Sequence, residues 1–255
     1  MKRLTILSIA FLLAACGPKS GASRQTLRIG TDATYPPFET VNTATGNPEG
    51  FDIDLITKIC TINKWKPEFV ITPFDGMIPG LEGKKYDVVI SSMTITPERS
   101  AVIDFSDPYY LAGQSIAVPL SDSSVKGIAD LAGKRVGVQL GTTGELMAKK
   151  AADLKVFSFD NIGAAFIDMS NGNLDAVLND FPTTQAYIKS HGSAKIVGEI
   201  LSKEYYGMAV RKGESAFRDS INSALQQIKS DGTYRDLHLK WFDAEPLPGF
   251  LQDKK

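Results

Sequence analysis

Short apolar segments alternate with amphipathic segments along this chain, and that alternation restricts the fold more than any other feature. A strand pattern at Leu27–Asp32 precedes apolar positions at helical spacing in Phe51–Asn63. The continuous apolar run Asp87–Ser91 predicts a buried strand. Alternating strands and helices form a largely parallel sheet covered on both faces, which predicts an α/β fold. The same unit contains a predicted short strand, Phe69–Ile71, and a predicted helix, Asp75–Glu82.

A second unit with the same alternation follows the extended segment Gln114–Pro119. The extended segment Lys195–Gly198 could return the chain to the first unit, and Tyr206–Arg211 has a strand pattern. A chain of 255 residues with 43% hydrophobic residues can build one large or two small cores. The other predicted strands are Lys134–Gln139, Leu154–Phe159 and Leu174–Asp180, and the other predicted helices are Asn161–Asn171, Phe181–Lys189, Ser215–Ser230, Tyr234–Phe242 and one that opens at Gly141–Glu145.

Three motifs in the first half of the chain carry the functional signal. They are GTDATYPPFE (Gly30–Glu39), GFDIDL (Gly50–Leu55) and ISSMTITPERS (Ile90–Ser100). Together they resemble the polar amino-acid family of extracytoplasmic solute-binding proteins, which feed ABC importers. The resemblance covers about the whole chain after its N-terminal export signal, which is described below. The second and third motifs are fairly specific to the family.

The resemblance implies a two-lobed periplasmic-binding-protein fold, in which each lobe is a sheet flanked by helices. Lobe 1 is then discontinuous and takes residues 26–113 and 203–250, while lobe 2 takes residues 114–202. Two crossing segments would form the hinge, near Gly113–Val118 and Gly198–Lys203. Periodicity alone does not predict this discontinuity.

Candidate site residues follow predicted strands, because ligands of open α/β sheets lie outside the carboxyl ends of the strands. Arg99 can hold a carboxylate through two parallel hydrogen bonds, and the GTTG turn opens a helix, which favours an anion. Asp180 can accept from an ammonium group. Tyr35 and Phe74 resemble the aromatic pair that encloses the side chain of the ligand in relatives. The candidate ligand-binding residues are Asp32, Tyr35, Phe74, Ser91, Ser92, Thr94, Arg99, Gln139, Thr142, Thr143 and Asp180.

The ligand's side chain is expected to be basic, of the arginine or lysine type. Asp32 and Gln139 both offer acceptors at the outer end of the pocket, and no additional Arg or Lys stands at a matched position. Glutamine or another neutral polar amino acid is the alternative, because Asp32 also occurs in glutamine-binding relatives. Asp32 could instead only hold the Thr34–Pro36 turn.

Structural interpretations compete at several of these positions. Asp180 could be the N-cap of the following helix, and Tyr35 and Phe74 could be core aromatics. Asp52 and Asp54 lie in the first turn of a helix, where they favour its dipole, so no metal site is predicted there. Arg99 could instead be a solvated helix residue after Pro97.

The N-terminus predicts export and a lipid anchor. Lys2 and Arg3 precede the apolar run Leu4–Leu13, which is too short to span a bilayer. The LAAC sequence that ends at Cys16 resembles a lipobox, which implies a signal peptide over residues 1–15 and lipidation of Cys16. Residues 16–25 would be a flexible tether. The expected location is extracytoplasmic, with the protein anchored to a membrane. Unmodified Cys16 after ordinary cleavage is the alternative.

The Arg99–Asp180 pair and the lipobox together favour a transport protein over an enzyme. Net charge is −1, so a nucleic-acid surface is not expected, and the other cysteine, Cys60, fits a buried position in a helix. The resemblance implies a monomer without cofactor or catalytic residues, whose partners are a free L-amino acid and the permease subunits of an ABC importer. A dehydratase-like enzyme on the same fold is the alternative from another class.

Overall fold

The structure is a computed structural model that describes residues 25–247. The predicted signal peptide, Cys16 and nearly all of the predicted tether lie outside the described residues. The strands are β1 Thr26–Thr31, β2 Thr34–Tyr35, β3 Glu39–Val41, β4 Pro48–Glu49, β5 Lys66–Ile71, β6 Val88–Val89, β7 Ile103–Phe105, β8 Tyr110–Ala112, β9 Gln114–Pro119, β10 Arg135–Gln139, β11 Lys155–Phe159, β12 Ala176–Asp180, β13 Ala194–Val197, β14 Glu204–Tyr206 and β15 Ala209–Arg211. The α-helices are α1 Phe51–Ile62, α2 Met77–Glu82, α3 Pro97–Val102, α4 Thr143–Lys150, α5 Ile162–Ser170, α6 Phe181–His191, α7 Ser215–Ser230 and α8 Thr233–Phe242.

The chain folds into two α/β lobes, each built on a five-stranded sheet. The sheet of lobe 1 has the order β5-β1-β6-β15-β7, and that of lobe 2 has the order β11-β10-β12-β9-β13. Helices α1, α7 and α8 pack together in lobe 1, and α4, α5 and α6 pack on the strands of lobe 2. The predicted α/β architecture of two sheet-and-helix lobes is therefore present.

Both sheets are mixed rather than largely parallel, which corrects the sequence prediction. In lobe 1, β5 and β6 pair parallel to β1, whereas β15 is antiparallel to both β6 and β7. Lobe 2 repeats the pattern, with β9 antiparallel to β12 and β13. Strands β9 and β15 each follow a crossing from the other lobe, so they enter their sheets from the end opposite to that of the locally connected strands.

The segment Lys195–Gly198 does not return the chain to lobe 1, contrary to one interpretation of its extended pattern. It forms most of β13, which pairs with β9 at the edge of the lobe 2 sheet. The return comes later, where β14 pairs antiparallel with β8 in a two-stranded ribbon. At this crossing, Gly113 approaches the other segment so closely that a Cβ atom would overlap the carbonyl oxygen of Ser202.

The lobe 1 core forms between α1 and β1, as the helical spacing of apolar residues predicts. Ile29, Leu55 and Ile59 are fully buried there. Cys60 is also buried and is a free thiol, as expected from its position in α1, and burial raises its pKa to about 12. Of the helices in residues 25–247, none has both the length and the apolar character needed to cross a membrane.

Candidate functional site

All eleven predicted site residues line one cavity between the two lobes. The cavity lies at the carboxyl ends of β1 and β6 in lobe 1 and of β10 and β12 in lobe 2, as the sheet rule predicts. Glu39 completes the lining and was missed by the sequence reasoning.

Arg99 presents a buried guanidinium to this cavity. It lies in the first turn of α3, where Thr96 caps the helix by accepting from the Arg99 N–H at 3.2 Å. The guanidinium donates to the carbonyl oxygens of Thr94 (2.8 Å) and Gly141 (3.0 Å), and it stands 5.3 Å from the centre of the Phe74 ring. Burial lowers its pKa. Since Arg99 is buried, its interpretation as a solvated helix residue is wrong.

No carboxylate in residues 25–247 forms an ion pair with Arg99. Buried charges are normally paired, because removal from water is costly unless a counter-charge and hydrogen bonds replace it. Glu204 and Asp180 lie near enough to act on the pKa of Arg99, but they lie beyond contact distance. The arrangement therefore suits the binding of an anionic group beside Arg99.

Asp180 provides a buried carboxyl group from lobe 2. It occupies the N-cap position of α6, but its side chain makes no capping hydrogen bond, so the N-cap interpretation does not explain the carboxyl group. Instead it accepts from the hydroxyl of Tyr35 at 2.9 Å, from the hydroxyl of Tyr206 and from the amide of Gln114. Burial raises the pKa of Asp180 to about 7. The Tyr35 hydroxyl thus donates to a carboxyl group of lobe 2, and Tyr35 is not a purely apolar core residue.

Asp32 faces Gln139 across the cleft. The Gln139 amide donates to the Asp32 carboxylate at 2.8 Å, and Thr34 donates to the same oxygen at 2.7 Å. The turn hydrogen bond that competed with a ligand role is therefore present, but the carboxylate also lines the cavity. Burial raises the pKa of Asp32, and no ion pair satisfies it within residues 25–247.

Two glutamates accept from the hydroxyl groups that the sequence assigned to the ligand. Glu39 accepts from Ser91 at 2.7 Å and from Ser92 at 3.2 Å. Glu204, in β14, accepts from Thr94 at 2.8 Å and from Thr143 at 2.6 Å. These hydroxyls are therefore held by the protein, and the backbone N–H groups at the start of α4, which lack an intrahelical acceptor, become the better donors to an anion.

The two lobes are closed on each other around the cavity. Cross-lobe hydrogen bonds join Arg99 to the Gly141 carbonyl, Gln139 to Asp32, and Tyr35 to the side-chain oxygen of Asn179 at 2.6 Å. Glu204 in the ribbon contacts a threonine from each lobe. Glu204 and Tyr206 were missed by the sequence reasoning, since no motif or spacing marks them as site residues.

Asp52 and Asp54 lie in the first turn of α1, as predicted, and each also makes tertiary hydrogen bonds. Asp52 is fully buried, and one of its oxygens accepts from the Ser92 N–H and from the Tyr109 hydroxyl, each at 2.8 Å. Asp54 instead accepts from Lys240 (2.6 Å) and Trp241 (2.8 Å), which joins α1 to α8. Both residues therefore hold the fold through tertiary contacts.

Two lobes joined by a paired ribbon, with strand-end polar residues facing each other across the cleft, define the class of two-lobed solute-binding proteins. The chain belongs to the bacterial extracellular solute-binding proteins, family 3, whose sequence profile matches residues 27–244. The ABC transporter arginine-binding protein 1 of Escherichia coli K12 is 37% identical over 248 residues, which cover 95% of this chain and 99% of that protein. The histidine-binding periplasmic protein of Salmonella typhimurium is 33% identical over 261 residues, covering 98% and 100%.

Solved structures agree with this assignment. An ancestral arginine-binding protein bound to arginine is 49% identical with a TM-score of 0.83, over 86% of this chain and 99% of that one. An ancestral arginine-binding protein bound to glutamine has the same identity and TM-score, over 87% of this chain and 99% of that one. The ancestral amino-acid-binding protein AncCDT-1, a precursor of cyclohexadienyl dehydratase, is 42% identical with a TM-score of 0.80, over 85% and 96%.

Proposed function

We propose that this protein captures a free basic amino acid, of the arginine or lysine type, for an ABC importer. The observation that carries the proposal is the placement of Arg99 on lobe 1 and Asp180 on lobe 2, both buried at one cavity and not paired with each other. An α-carboxylate beside Arg99 and an α-ammonium beside Asp180 would satisfy both charges at once. The N–H groups at the start of α4 would add donors to the carboxylate.

The side chain of the ligand would extend towards Asp32 and Gln139. A guanidinium there would give the Asp32 carboxylate the counter-charge that it lacks within residues 25–247. Tyr35 and Phe74 would lie against the aliphatic and planar parts of the ligand, and an aromatic face over a cation adds about 0.5–2 kcal/mol. The arginine-binding relatives support this choice.

Glutamine is the second candidate for the same pocket. One ancestral relative has been solved with arginine and also with glutamine, which favours testing both ligands. A glutamine amide could donate to Asp32, but it would leave the buried carboxylate without a cation. We therefore place glutamine second.

Capture is proposed to occur by closure of lobe 1, residues 26–113 and 203–250, onto lobe 2, residues 114–202. Because Arg99 and Asp180 belong to different lobes, only the closed arrangement satisfies both ends of a zwitterion, and the ligand shifts the population towards it. Four cross-lobe contacts made by Arg99, Gln139, Tyr35 and Glu204 support this step.

The protein is further proposed to work outside the cytoplasm as a lipid-anchored monomer. The sequence LAAC at Cys16 supports the anchor, and two or more acyl chains give stable membrane attachment where one is marginal. Periplasmic relatives support the compartment. The permease subunits of the importer are the expected protein partners.

A thermal-shift screen of the twenty amino acids plus ornithine, followed by calorimetry, tests the proposed function. Arginine or lysine should give the largest stabilisation, since a ligand that binds only the folded state stabilises it by RT ln(1 + [L]/Kd). A larger effect with glutamine would reject the basic ligand, and no effect with any amino acid would reject the function.

A separate assay tests the dehydratase alternative. It is motivated by the structural similarity to AncCDT-1 and by the pKa of Asp180, which burial raises to about 7, near the pH at which a general acid or base works best. Incubation with arylcyclohexadienyl acids should give no aromatic product above the rate without protein. Product that disappears in Asp180→Asn would instead support the enzyme.

A further inference from the structure

A pair of buried carboxyl groups lies directly behind the serines of the cavity. Glu39 in β3 is 1% exposed and Asp52 in α1 is fully buried. Ser92 joins the two carboxyl groups, because its N–H donates to Asp52 at 2.8 Å and its hydroxyl donates to Glu39 at 3.2 Å, and each carboxyl group acts on the pKa of the other. Neither takes part in an ion pair in the part of the chain that the structure describes. Two adjacent carboxylates without a counter-charge cannot both stay ionised at such a site.

The hydrogen-bond pattern indicates where a proton belongs. Asp52 Oδ2 accepts from the Ser92 N–H and the Tyr109 hydroxyl, while Asp52 Oδ1 is buried and accepts from no N–H or hydroxyl group of residues 25–247. Both oxygens of Glu39 accept from serine hydroxyls. A proton on the Glu39 carboxyl group, donated to Asp52 Oδ1, would give that oxygen its missing partner.

We propose that Glu39 and Asp52 share one proton in the closed protein, and that this proton fixes the Ser91–Ser92 backbone in its ligand-binding conformation. Glu39 and Asp52 are positioning residues in this proposal. The proposal rests on the proposed amino-acid binding and adds a proton to the site that holds the ligand.

The Ser91–Ser92 turn depends on the pair for its shape. Ser92 has a φ of +49°, a left-handed conformation that non-glycine residues rarely adopt, and its N–H is held by Asp52. Ser91 donates to Glu39 and accepts from the Asp32 N–H at 3.1 Å. A second negative charge in the pair would drive the two carboxyl groups apart or admit water. Either change would move the turn and, through Ser91, the backbone of Asp32.

The groups that face the pair from the surrounding elements would not replace the proton. Asp32 at the end of β1 adds negative potential, and Tyr35 in β2 lies near Glu39. On the Asp52 side, Tyr109 donates a hydrogen bond and Tyr110 lies nearby, as does Tyr234 of α8. The carboxylate is negative and the tyrosines are neutral near pH 7, so this neighbourhood favours retention of one proton. Burial and the charge of Asp52 accordingly raise the pKa of Glu39.

Amide variants test the proposal, because a side-chain N–H can take the place of the shared proton. In Glu39→Gln the amide can donate to Asp52 Oδ1, and in Asp52→Asn it can donate to Glu39 while the carbonyl oxygen still accepts from Ser92. Both variants should keep arginine binding within about threefold of the parent at pH 7.5. Glu39→Ala, which cannot donate, should weaken it at least about tenfold. Glu68→Gln, an exposed residue of β5, is the control.

Infrared difference spectroscopy gives the direct measurement of the proton. At pH 8 with saturating arginine, the parent protein should show the C=O stretch of one protonated carboxyl group that Glu39→Gln lacks and Glu68→Gln retains. A spectrum unchanged by Glu39→Gln would overturn the shared proton, as would equal loss of binding in Glu39→Gln and Glu39→Ala. If the parent binds no amino acid at all, the proposed function fails; the same band can then be sought in the ligand-free protein, where its absence would overturn the pair separately.

Discussion

Asp32→Asn separates the ligand role of Asp32 from its role in the turn. The substitution keeps the size of the side chain and an oxygen that can accept from Thr34, but it removes the negative charge. Asp32 is 5% exposed, so its charge acts in a poorly solvated environment. At about 4 Å and an effective dielectric constant of about 20, a guanidinium and a carboxylate attract by about 4 kcal/mol. Desolvation of the ligand offsets part of this attraction.

The expected net loss for arginine is about 1.5–3 kcal/mol, the usual range for a hydrogen bond to a charged group. That loss corresponds to a Kd about 10- to 150-fold higher. Glutamine affinity should stay flat or improve, because the amide has no charge to pair. Calorimetry with both ligands at pH 7.5 measures the difference. Equal weakening of both ligands would show that Asp32 is only structural, and tighter binding of glutamine by the parent protein would refute the basic-ligand assignment.

Four further results are expected. Arg99→Ala should weaken binding by about 2–5 kcal/mol, or at least about 30-fold, with an unchanged far-ultraviolet circular dichroism spectrum; binding within about threefold of the parent would contradict the carboxylate role. Burial raises the pKa of Asp180 to about 7, and an ammonium ligand favours the ionised carboxylate, so ligand affinity should rise from about pH 5.5 to about pH 8 as the proton is released. Asp180→Asn should bind weakly and without that rise. A pH profile identical to that of the parent would exclude Asp180 as the ammonium partner. Solution scattering should give a smaller radius of gyration with ligand, and an unchanged value at confirmed saturation would count against closure. Cys16→Ser should release the protein from the detergent phase, whereas an unmodified Cys16 in membrane-extracted protein would disprove the anchor.

The raised pKa of Asp180 also predicts how the ligand-free protein responds to pH. The folded state holds a proton that the unfolded chain, in which an aspartate has its ordinary pKa of 3.8, gives up at lower pH. Stability contributed by this group is therefore present in acid and is lost as the pH rises from about 4 through about 7. Urea unfolding of the parent and of Asp180→Asn across this range should show the parent losing stability relative to the variant. A constant difference would contradict the raised pKa.

Local patterns predicted most strands of the two five-stranded sheets and the strand-end residues, but they could not predict partners that come from distant parts of the chain. Arg99 and Asp180 follow predicted strands, and the carboxyl ends of the strands are where an open α/β sheet binds its ligand, so both residues could be predicted to lie at one cavity. Glu39 lines that cavity because β3 packs beside it, and Glu204 reaches Thr94 and Thr143 because β14 lies next to them. No periodicity encodes either contact.

The bounds of β6 show a second limit of the sequence signal. The apolar run Asp87–Ser91 predicted a five-residue strand, whereas the strand is Val88–Val89, with one further hydrogen bond to β1 on each side from the N–H groups of Asp87 and Ile90. The left-handed conformation of Ser92 turns the chain out of the sheet soon afterwards, and hydrogen bonds to Glu39 and Asp52 hold that turn. The apolar pattern predicts that this segment is buried, but it does not predict the residue at which the backbone stops pairing with the neighbouring strand.

The close approach of Gly113 to Ser202 has a consequence for the kinetics of the proposed lobe closure. The two crossing segments touch there, and Gln114 donates its N–H to the Ser202 hydroxyl while its carbonyl accepts from the Leu201 N–H. Because the two segments are tied together, we expect them to bend as one unit in the proposed opening and closing of the cleft. Dye pairs placed at different points on the rims of the two lobes should therefore report one common closing rate rather than a series of local ones.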